Sequence, residues 1–197
     1  MKRIFHSLAV LVAFFLFSCF TPTFSQSFDW VEIFGNSNYK GISVSTDRFG
    51  NSCDLLQAYD FNNNYSSINM VKRDKNGSVL WIKSIHPTGS LIKRGNVYGM
   101  AIRSDSVDNL YITGYFTGSV KFGDTTLNTG STSLQSAYVL KLNSQGDIVW
   151  VQAFAPRTLS MQLAVNPKGD VWITGDFNGT VSFDDSTTYT SVNYWDN

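Results

Sequence analysis

The chain has 197 residues, of which 43% are hydrophobic, 15% aromatic and only 15% charged. Basic and acidic residues number 15 each; without Lys2 and Arg3 there are 13 basic residues, which leaves a net charge near −2. This balance lacks the basic excess that binding to nucleic acid or to an anionic membrane requires.

The first 25 residues have the pattern of a signal peptide. Lys2 and Arg3 are followed by an apolar run over residues 8–17, which is too short to span a bilayer. Small residues at Thr23 and Ser25 predict cleavage before Gln26, and an alternative is a lipoprotein box that places a lipid on Cys19. Both interpretations predict export to a secreted or cell-surface location, and no later apolar run predicts a transmembrane segment.

Cys53 is then the one cysteine of the mature part, residues 26–197. A single cysteine forms no internal disulfide, so the exported domain must be stabilised by its core. Cys53 enters an apolar stretch, and we expect it to be a small buried side chain rather than a reactive thiol.

Tryptophan-bearing strands recur along the chain. They read SFDWVEIFG, SVLWIKSIH and DIVWVQAFA, and they are centred on Trp30, Trp81 and Trp150. The first stands alone at the start of the mature sequence, as expected for a ring that closes by joining its two ends.

Turn motifs recur with the strands. Residues 47–50, 105–108 and 166–169 begin with Asp or Asn, and the first and third end in Gly50 and Gly169, a type I turn pattern. A second set, at residues 74–77 and 143–146, ends in Gly77 and Gly146.

Two long stretches match at an offset of 61 residues. They are NLYITGYFTGSVKFG from Asn109 and DVWITGDFNGTVSFD from Asp170. The matched pairs include Gly114 with Gly175 and Phe116 with Phe177. A glycine inside a strand predicts a bulge or a close backbone approach.

These repeats predict an all-β fold with four short strands in each unit of about 60 residues. In the second unit we expect strands near residues 98–103, 110–115, 138–142 and 148–153. Four-stranded units at this period are typical of the blades of a β-propeller. Trp81 and Trp150 are accordingly expected to be buried, with Trp150→Ala costing several kcal/mol.

The stretches DNLYITGYFTGSVKFG and AYVLKLNSQGDIVWVQAF together resemble the SBBP-type β-propeller repeat of exported bacterial proteins. The resemblance covers most of residues 28–197 and is weaker in the first unit, which lacks the T-G-x-F pattern. It implies a secreted or cell-surface propeller and transfers no catalytic residue.

The mature part holds about 2.5 to 3 units, whereas closed propellers have about four to eight blades. We therefore expect an incomplete propeller, the N-terminal portion of a longer protein whose remaining chain closes the ring. The alternative is a short chain that closes a ring by oligomerising.

Residues suited to catalysis or metal binding are few. His86 and Glu32 are the one histidine and the one glutamate of the mature part. His86 and the pair Asp184 and Asp185 are interpreted as solvated loop residues, so we expect no catalytic, cofactor-binding or metal site. Aromatic candidates for stacking on sugars or peptides are Tyr111, Tyr115, Trp172, Tyr189, Tyr194 and Trp195.

Three functional hypotheses follow. The leading one is a non-enzymatic scaffold that binds a glycan or protein partner through loops on one face. The others are a propeller enzyme similar to quinoproteins, and a spacer domain of a larger adhesin or secreted enzyme.

Overall fold

The computed structural model describes residues 38–89, 94–182 and 187–191, without the side chains of residues 155 and 156. These residues all fall within one unit, Glu32–Asn197. The predicted signal peptide, Cys19, Trp30, Asp184, Asp185, Tyr194 and Trp195 lie outside the described residues.

Fifteen strands occur in the described residues. They are β1 (Tyr39–Thr46), β2 (Ser52–Asp60), β3 (Tyr65–Arg73), β4 (Val79–Ile85), β5 (Pro87–Thr88), β6 (Asn96–Ser104), β7 (Leu110–Thr117), β8 (Ser119–Phe122), β9 (Thr125–Asn128), β10 (Gln135–Leu142), β11 (Ile148–Pro156), β12 (Thr158–Val165), β13 (Val171–Phe177), β14 (Thr180–Ser182) and β15 (Thr188–Thr190).

Each repeat unit contributes an antiparallel sheet. Sheet 1 has the order β1-β2-β3-β4, sheet 2 has the order β6-β7-β10-β11, and sheet 3 consists of β12 and β13. The all-β prediction is confirmed, and the four strands expected in the second unit are present as the four strands of sheet 2. The described part of the chain contains no helix with the length and hydrophobicity needed to cross a membrane.

Two smaller sheets were not predicted. Strands β5, β8 and β9 form one, and β14 pairs with β15 in the other. The repeated stretch that begins at Asn109 divides into β7 and β8 at Gly118, where φ is +63°. Beyond the break Val120 and Phe122 are buried in the core, so this small sheet closes part of the apolar interior.

The repeated turns share one hydrogen-bonding scheme. In each, the fourth residue donates its backbone N–H to the carbonyl of the first, and the first side chain accepts the N–H groups two and four residues on. The fourth residues all have positive φ: Gly50, Gly77, Asp108, Gly146 and Gly169. The Asp or Asn side chain therefore accepts hydrogen bonds from backbone N–H groups that have no carbonyl acceptor within the turn.

Gly114 and Gly175 both lie opposite a bulge in the neighbouring strand. A Cβ on Gly114 would lie 1.9 Å from the Tyr98 carbonyl oxygen, and one on Gly175 would lie 1.9 Å from the Leu159 carbonyl oxygen. The ladders shift register at 99/101 and at 160/162 beside them. In sheet 1 the corresponding ladder pairs Leu56 with Gly41 and also shifts there, so the first unit keeps the bulge without the T-G-x-F pattern.

One core cluster is shared by sheets 1 and 2. Sheet 1 supplies Cys53, Leu55, Ile68, Met70 and Ile85, and sheet 2 supplies Val97, Ile102, Leu110, Ile112, Phe116, Tyr138, Leu140 and Leu142. A smaller cluster joins Ala101 and Tyr111 of sheet 2 to Leu163 of sheet 3. Cys53 is fully buried, as predicted.

The predicted burial of the repeat tryptophans is wrong for Trp150, which is 39% exposed, whereas Trp81 is half-buried. Both lie on the last strand of their sheets, opposite Lys72 and Lys141. Trp81 is covered by residues 143–147 of sheet 2, and its Nε1 donates to the Ser144 carbonyl at 3.2 Å. No equivalent turn covers Trp150 among the described residues.

Phe116 and Phe177 differ in the same way. Phe116 is buried, whereas its repeat partner Phe177 is only half-buried, because sheet 3 has two described strands where sheet 2 has four.

Candidate interaction surfaces

The antiparallel order places different loops at the two ends of each sheet. The turns at residues 47–50, 74–77, 105–108, 143–146 and 166–169 lie at one end, which we call the turn end. The connections at residues 61–64 and 118–134, and those that lead from one sheet to the next, lie at the other, the loop end.

At the turn end, polar contacts join one unit to the next. Arg48 Nε lies 3.1 Å from the Asp108 carboxylate, and Ser106 Oγ donates to the Pro167 carbonyl at 2.6 Å. Gly169 faces the Tyr111 hydroxyl, which would lie 2.6 Å from a Cβ at that position. The turn end is therefore used for contact between units.

The size of one side chain in each of the first two units determines which group the neighbouring lysine contacts. Six residues after the first residue of the turn stand Cys53, Tyr111 and Trp172. In sheet 1 the small Cys53 leaves room for Lys72 Nζ to reach the Asp47 carboxylate at 2.7 Å.

In sheet 2 the larger Tyr111 occupies that space. Lys141 Nζ lies 4.9 Å from the centre of the Tyr111 ring, and the Tyr111 hydroxyl donates to Asp105 at 3.2 Å. These Asp and Lys side chains stabilise the fold, and Tyr111 is a core residue rather than a ligand-stacking one.

At the loop end, aromatic and polar side chains gather around the turn that joins β2 to β3. We call Tyr59, Phe61, Tyr65, His86 and Arg94 the loop-end aromatic cluster. Phe61 is 68% exposed and lies edge-on to Tyr59, with ring centres 4.7 Å apart. His86 lies edge-on to Tyr65, and the Arg94 guanidinium lies 5.0 Å above the centre of the Tyr65 ring.

Asp60 fixes the turn that carries Phe61. Its carboxylate accepts the backbone N–H groups of Asn62 and Asn63 and the side-chain amide of Asn63. The Asn63 side chain and these N–H groups lower the pKa of Asp60 below its usual range. The turn therefore holds Phe61 and a run of asparagine amides in a fixed arrangement at the surface.

The Arg94 side chain is partly withdrawn from solvent. Its Nε is buried and has no hydrogen-bond partner among the described residues. Burial raises the pKa of the nearby Tyr65 hydroxyl, and the charge of Asp60 adds to that effect. Aromatic rings, amides and a guanidinium together can stack on and hydrogen-bond to a polar ligand.

The cluster was missed by sequence reasoning. His86, which we expected to be a solvated loop residue, is exposed but contacts Tyr65. The run YDFNNNY offered a local signal, because aromatic residues flank an Asx turn. Arg94 gave none, since only the fold brings it to Tyr65.

The other aromatic candidates are dispersed. Tyr115 is half-buried and stacks on Tyr98 at 4.6 Å, whereas Trp172 and Tyr189 are exposed on β13 and β15. They do not form one binding surface with the loop-end aromatic cluster.

A cleft of about 520 Å³ lies beside the last strands of sheets 1 and 2. Its walls include Lys83, Lys121, Asp124, Asp147 and Trp150. Lys83 and Asp147 already pair across it at 3.3 Å. Within the described ranges, no group of three or more His, Cys, Asp or Glu side chains is placed to hold a metal ion.

No family model matches the chain, and no curated protein matches it. The similarity to the SBBP-type repeat therefore stays a prediction from the sequence pattern.

Proposed function

We propose that this chain is part of a secreted or cell-surface β-propeller scaffold, non-enzymatic, that binds a glycan or protein partner through the loop end. Two successive sheets with the same four-strand order, and a third unit that repeats their turn chemistry and bulge, support the propeller architecture. The signal-peptide pattern of residues 1–25 supports export, and further repeat units of its own chain would close the ring.

The observation that supports the binding face is the loop-end aromatic cluster. It combines the exposed ring of Phe61, asparagine amides and the Arg94 guanidinium above the Tyr65 ring. At the turn end, by contrast, polar side chains of the described residues form contacts between neighbouring units, such as Arg48 with Asp108 and Ser106 with Pro167.

A glycan array, followed by calorimetry on the best ligand, tests this proposal. We expect Phe61→Ala and Arg94→Gln each to weaken binding about tenfold or more, which corresponds to about 1.4 kcal/mol. Phe49→Ala is the matched control, since Phe49 is a similarly exposed aromatic at the turn end, 62% against 68%.

If no glycan binds, the same variants are compared in capture of protein partners from the extracellular medium. Binding that survives Phe61→Ala and Arg94→Gln but is lost with Phe49→Ala would place the partner at the turn end and contradict the proposal.

A further inference from the structure

The contact between sheets 1 and 2 provides a template for a surface that sheets 2 and 3 leave open. Residues 143–147 of sheet 2 pack on the last strand of sheet 1. Ser144 accepts the Trp81 indole N–H, Gly146 approaches the Trp81 ring, and Asp147 pairs with Lys83. A Cβ on Gly146 would lie 3.1 Å from Trp81 Cε2 and from Lys83 Cγ and Cε, which is tighter than an ordinary contact, and φ at Gly146 is +81°, so this contact favours a glycine at the fourth turn position.

Trp150 occupies the position of Trp81 in the next sheet. Both are paired with the lysine of the preceding strand, and both ladders shift register at the following residue pair. The first strand of sheet 3, β12, contacts β6, β7 and β10 of sheet 2, much as β6 contacts β1, β2 and β3 of sheet 1. The small sheets repeat the relation, since β14 contacts β11 as β8 contacts β4. The stacking relation therefore continues, but Trp150 stays 39% exposed because no described turn reaches it.

The edge of β13 is the second open element. Strand β7 pairs with β6 on one side and β10 on the other, whereas among the described residues its counterpart β13 pairs with β12 alone. Thr113 of β7 lies opposite Val139 of β10, and Thr174 is the repeat partner of Thr113. A cavity of about 190 Å³ beside this edge is lined by residues of β12 and β13 and by Ala137 and Phe154 of sheet 2, so it lies on a face of sheet 3.

The exposed ring of Trp172 is the third open element, after Trp150 and the edge of β13. In sheet 2 the ring at this position, Tyr111, is covered by Lys141 from the third strand. In sheet 3 the corresponding ring, Trp172, is 56% exposed. An indole is the best aromatic acceptor for a lysine ammonium group.

We infer that Trp150, Trp172 and the edge of β13 form an acceptor surface for a two-stranded hairpin with an Asx-x-x-Gly turn. The first strand of the hairpin pairs with β13 by strand addition. Its lysine lies over Trp172, and a carbonyl of its turn accepts the Trp150 indole N–H. The inference rests on the proposed propeller architecture and specifies the chemistry of a hairpin that fits this surface.

The hairpin of sheet 2, residues 137–153 (AYVLKLNSQGDIVWVQA), is the probe. The full chain is labelled with 5-fluorotryptophan, and the Trp150 resonance is assigned with Trp150→Phe. An unlabelled synthetic peptide of residues 137–153 is then titrated into the labelled protein. We expect a saturable shift of the Trp150 and Trp172 resonances, a smaller solvent isotope shift at Trp150, and no change at Trp81.

The matched control is the same peptide with Gly146→Val. This change places a branched side chain where the turn must approach the indole, and it disfavours the positive φ of the turn. We expect its affinity to fall at least about tenfold. An equal response to both peptides would show non-specific association and overturn the inference.

An isolated hairpin is only marginally stable, so the same residues are also appended directly after Asn197, which keeps the 61-residue offset of the repeat. If neither the free nor the appended hairpin changes the Trp150 resonance, the inference is wrong. A Trp150 shift that depends on protein concentration without peptide would instead assign the surface to a second copy of the chain.

These readouts are independent of ligand binding at the loop end. Loss of Phe61-dependent binding would contradict the proposed binding face, while the Trp150 response would remain to test the hairpin site.

Discussion

Lys72 Nζ lies 2.7 Å from the Asp47 carboxylate, and both side chains are almost fully buried. Breaking a buried pair by removing one partner leaves an uncompensated charge, whereas a surface pair contributes little. We expect Lys72→Met to lower the free energy of unfolding by about 3 kcal/mol. Lys83→Met, which breaks the exposed pair with Asp147, should cost less than about 1 kcal/mol in the same urea titration. Equal losses would show that Asp47 is adequately solvated without Lys72.

The bulge at Gly114 gives a second prediction. A Cβ there would lie 1.9 Å from the Tyr98 carbonyl oxygen, so Gly114→Ala must move one strand away from the other. We expect a loss of at least about 2 kcal/mol of unfolding free energy. Gly41→Ala is the control, since a Cβ at Gly41 meets nothing within 4 Å. A Gly114→Ala protein as stable as the Gly41→Ala protein would contradict the close approach.

Acid should destabilise the protein through Asp105. Burial alone would raise the pKa of Asp105, but hydrogen bonds from Asn109, Val107 and Tyr111 outweigh it and hold the pKa below its usual range. A carboxyl whose pKa is lowered in the folded state stabilises it above the unfolded pKa and loses that contribution as pH falls. The free energy of unfolding should therefore decrease below about pH 4.

Asp105→Asn removes this titration while keeping the turn, because Asn166 accepts the same two backbone N–H groups in the third unit. We expect the variant to lose less unfolding free energy than the parent between about pH 5 and pH 3. Parallel pH curves for the two proteins would exclude Asp105 as a source of the acid sensitivity.

The two repeat tryptophans should differ in their contribution to stability. Trp81 is packed against the main core and bonded to Ser144, whereas Trp150 is partly exposed and contacts Tyr111 edge-on. We expect Trp81→Ala to cost about 3 kcal/mol and Trp150→Ala to cost clearly less. Thermal unfolding of the two variants side by side measures the difference, and the reverse order would contradict it.

The reactivity of the Cys53 thiol measures how often sheet 1 opens to solvent. The side chain is fully buried, and burial raises the pKa of its thiol to about 12, with a smaller opposing effect of Lys72. A thiol reagent should therefore react at the rate at which sheet 1 opens, and the reaction should become rapid in denaturant. Rapid labelling of the native protein at neutral pH would show that this part of the core is accessible.

Local chemistry explains what the sequence predicted correctly. An Asx residue followed by glycine three positions on specifies its turn without help from the rest of the fold, so the turns at 74–77 and 143–146 were predictable. The bulge beside Gly114 was also predictable, because a glycine within a strand of β-branched and aromatic residues usually marks a bulge or a close backbone approach.

What the sequence did not reveal depends on contacts between distant residues. The exposure of Trp150 follows from the absence of a neighbouring turn among the described residues, not from its own strand, which resembles that of Trp81. The Lys72–Asp47 pair depends on the small size of Cys53, six residues beyond Asp47. The loop-end aromatic cluster needs Arg94, which only the packing of sheets 1 and 2 brings to Tyr65.

The polar contacts at the turn end join each unit to its immediate neighbour, as Arg48 does with Asp108 and Ser106 with Pro167. Units that are stabilised mainly by contacts with their nearest neighbours unfold as a one-dimensional cooperative array. Unfolding is then expected to start at the unit with the weakest contacts to its neighbours and to spread to the adjacent units. Amide exchange should accordingly be slowest in β7 and β10, which have a packed sheet on either side.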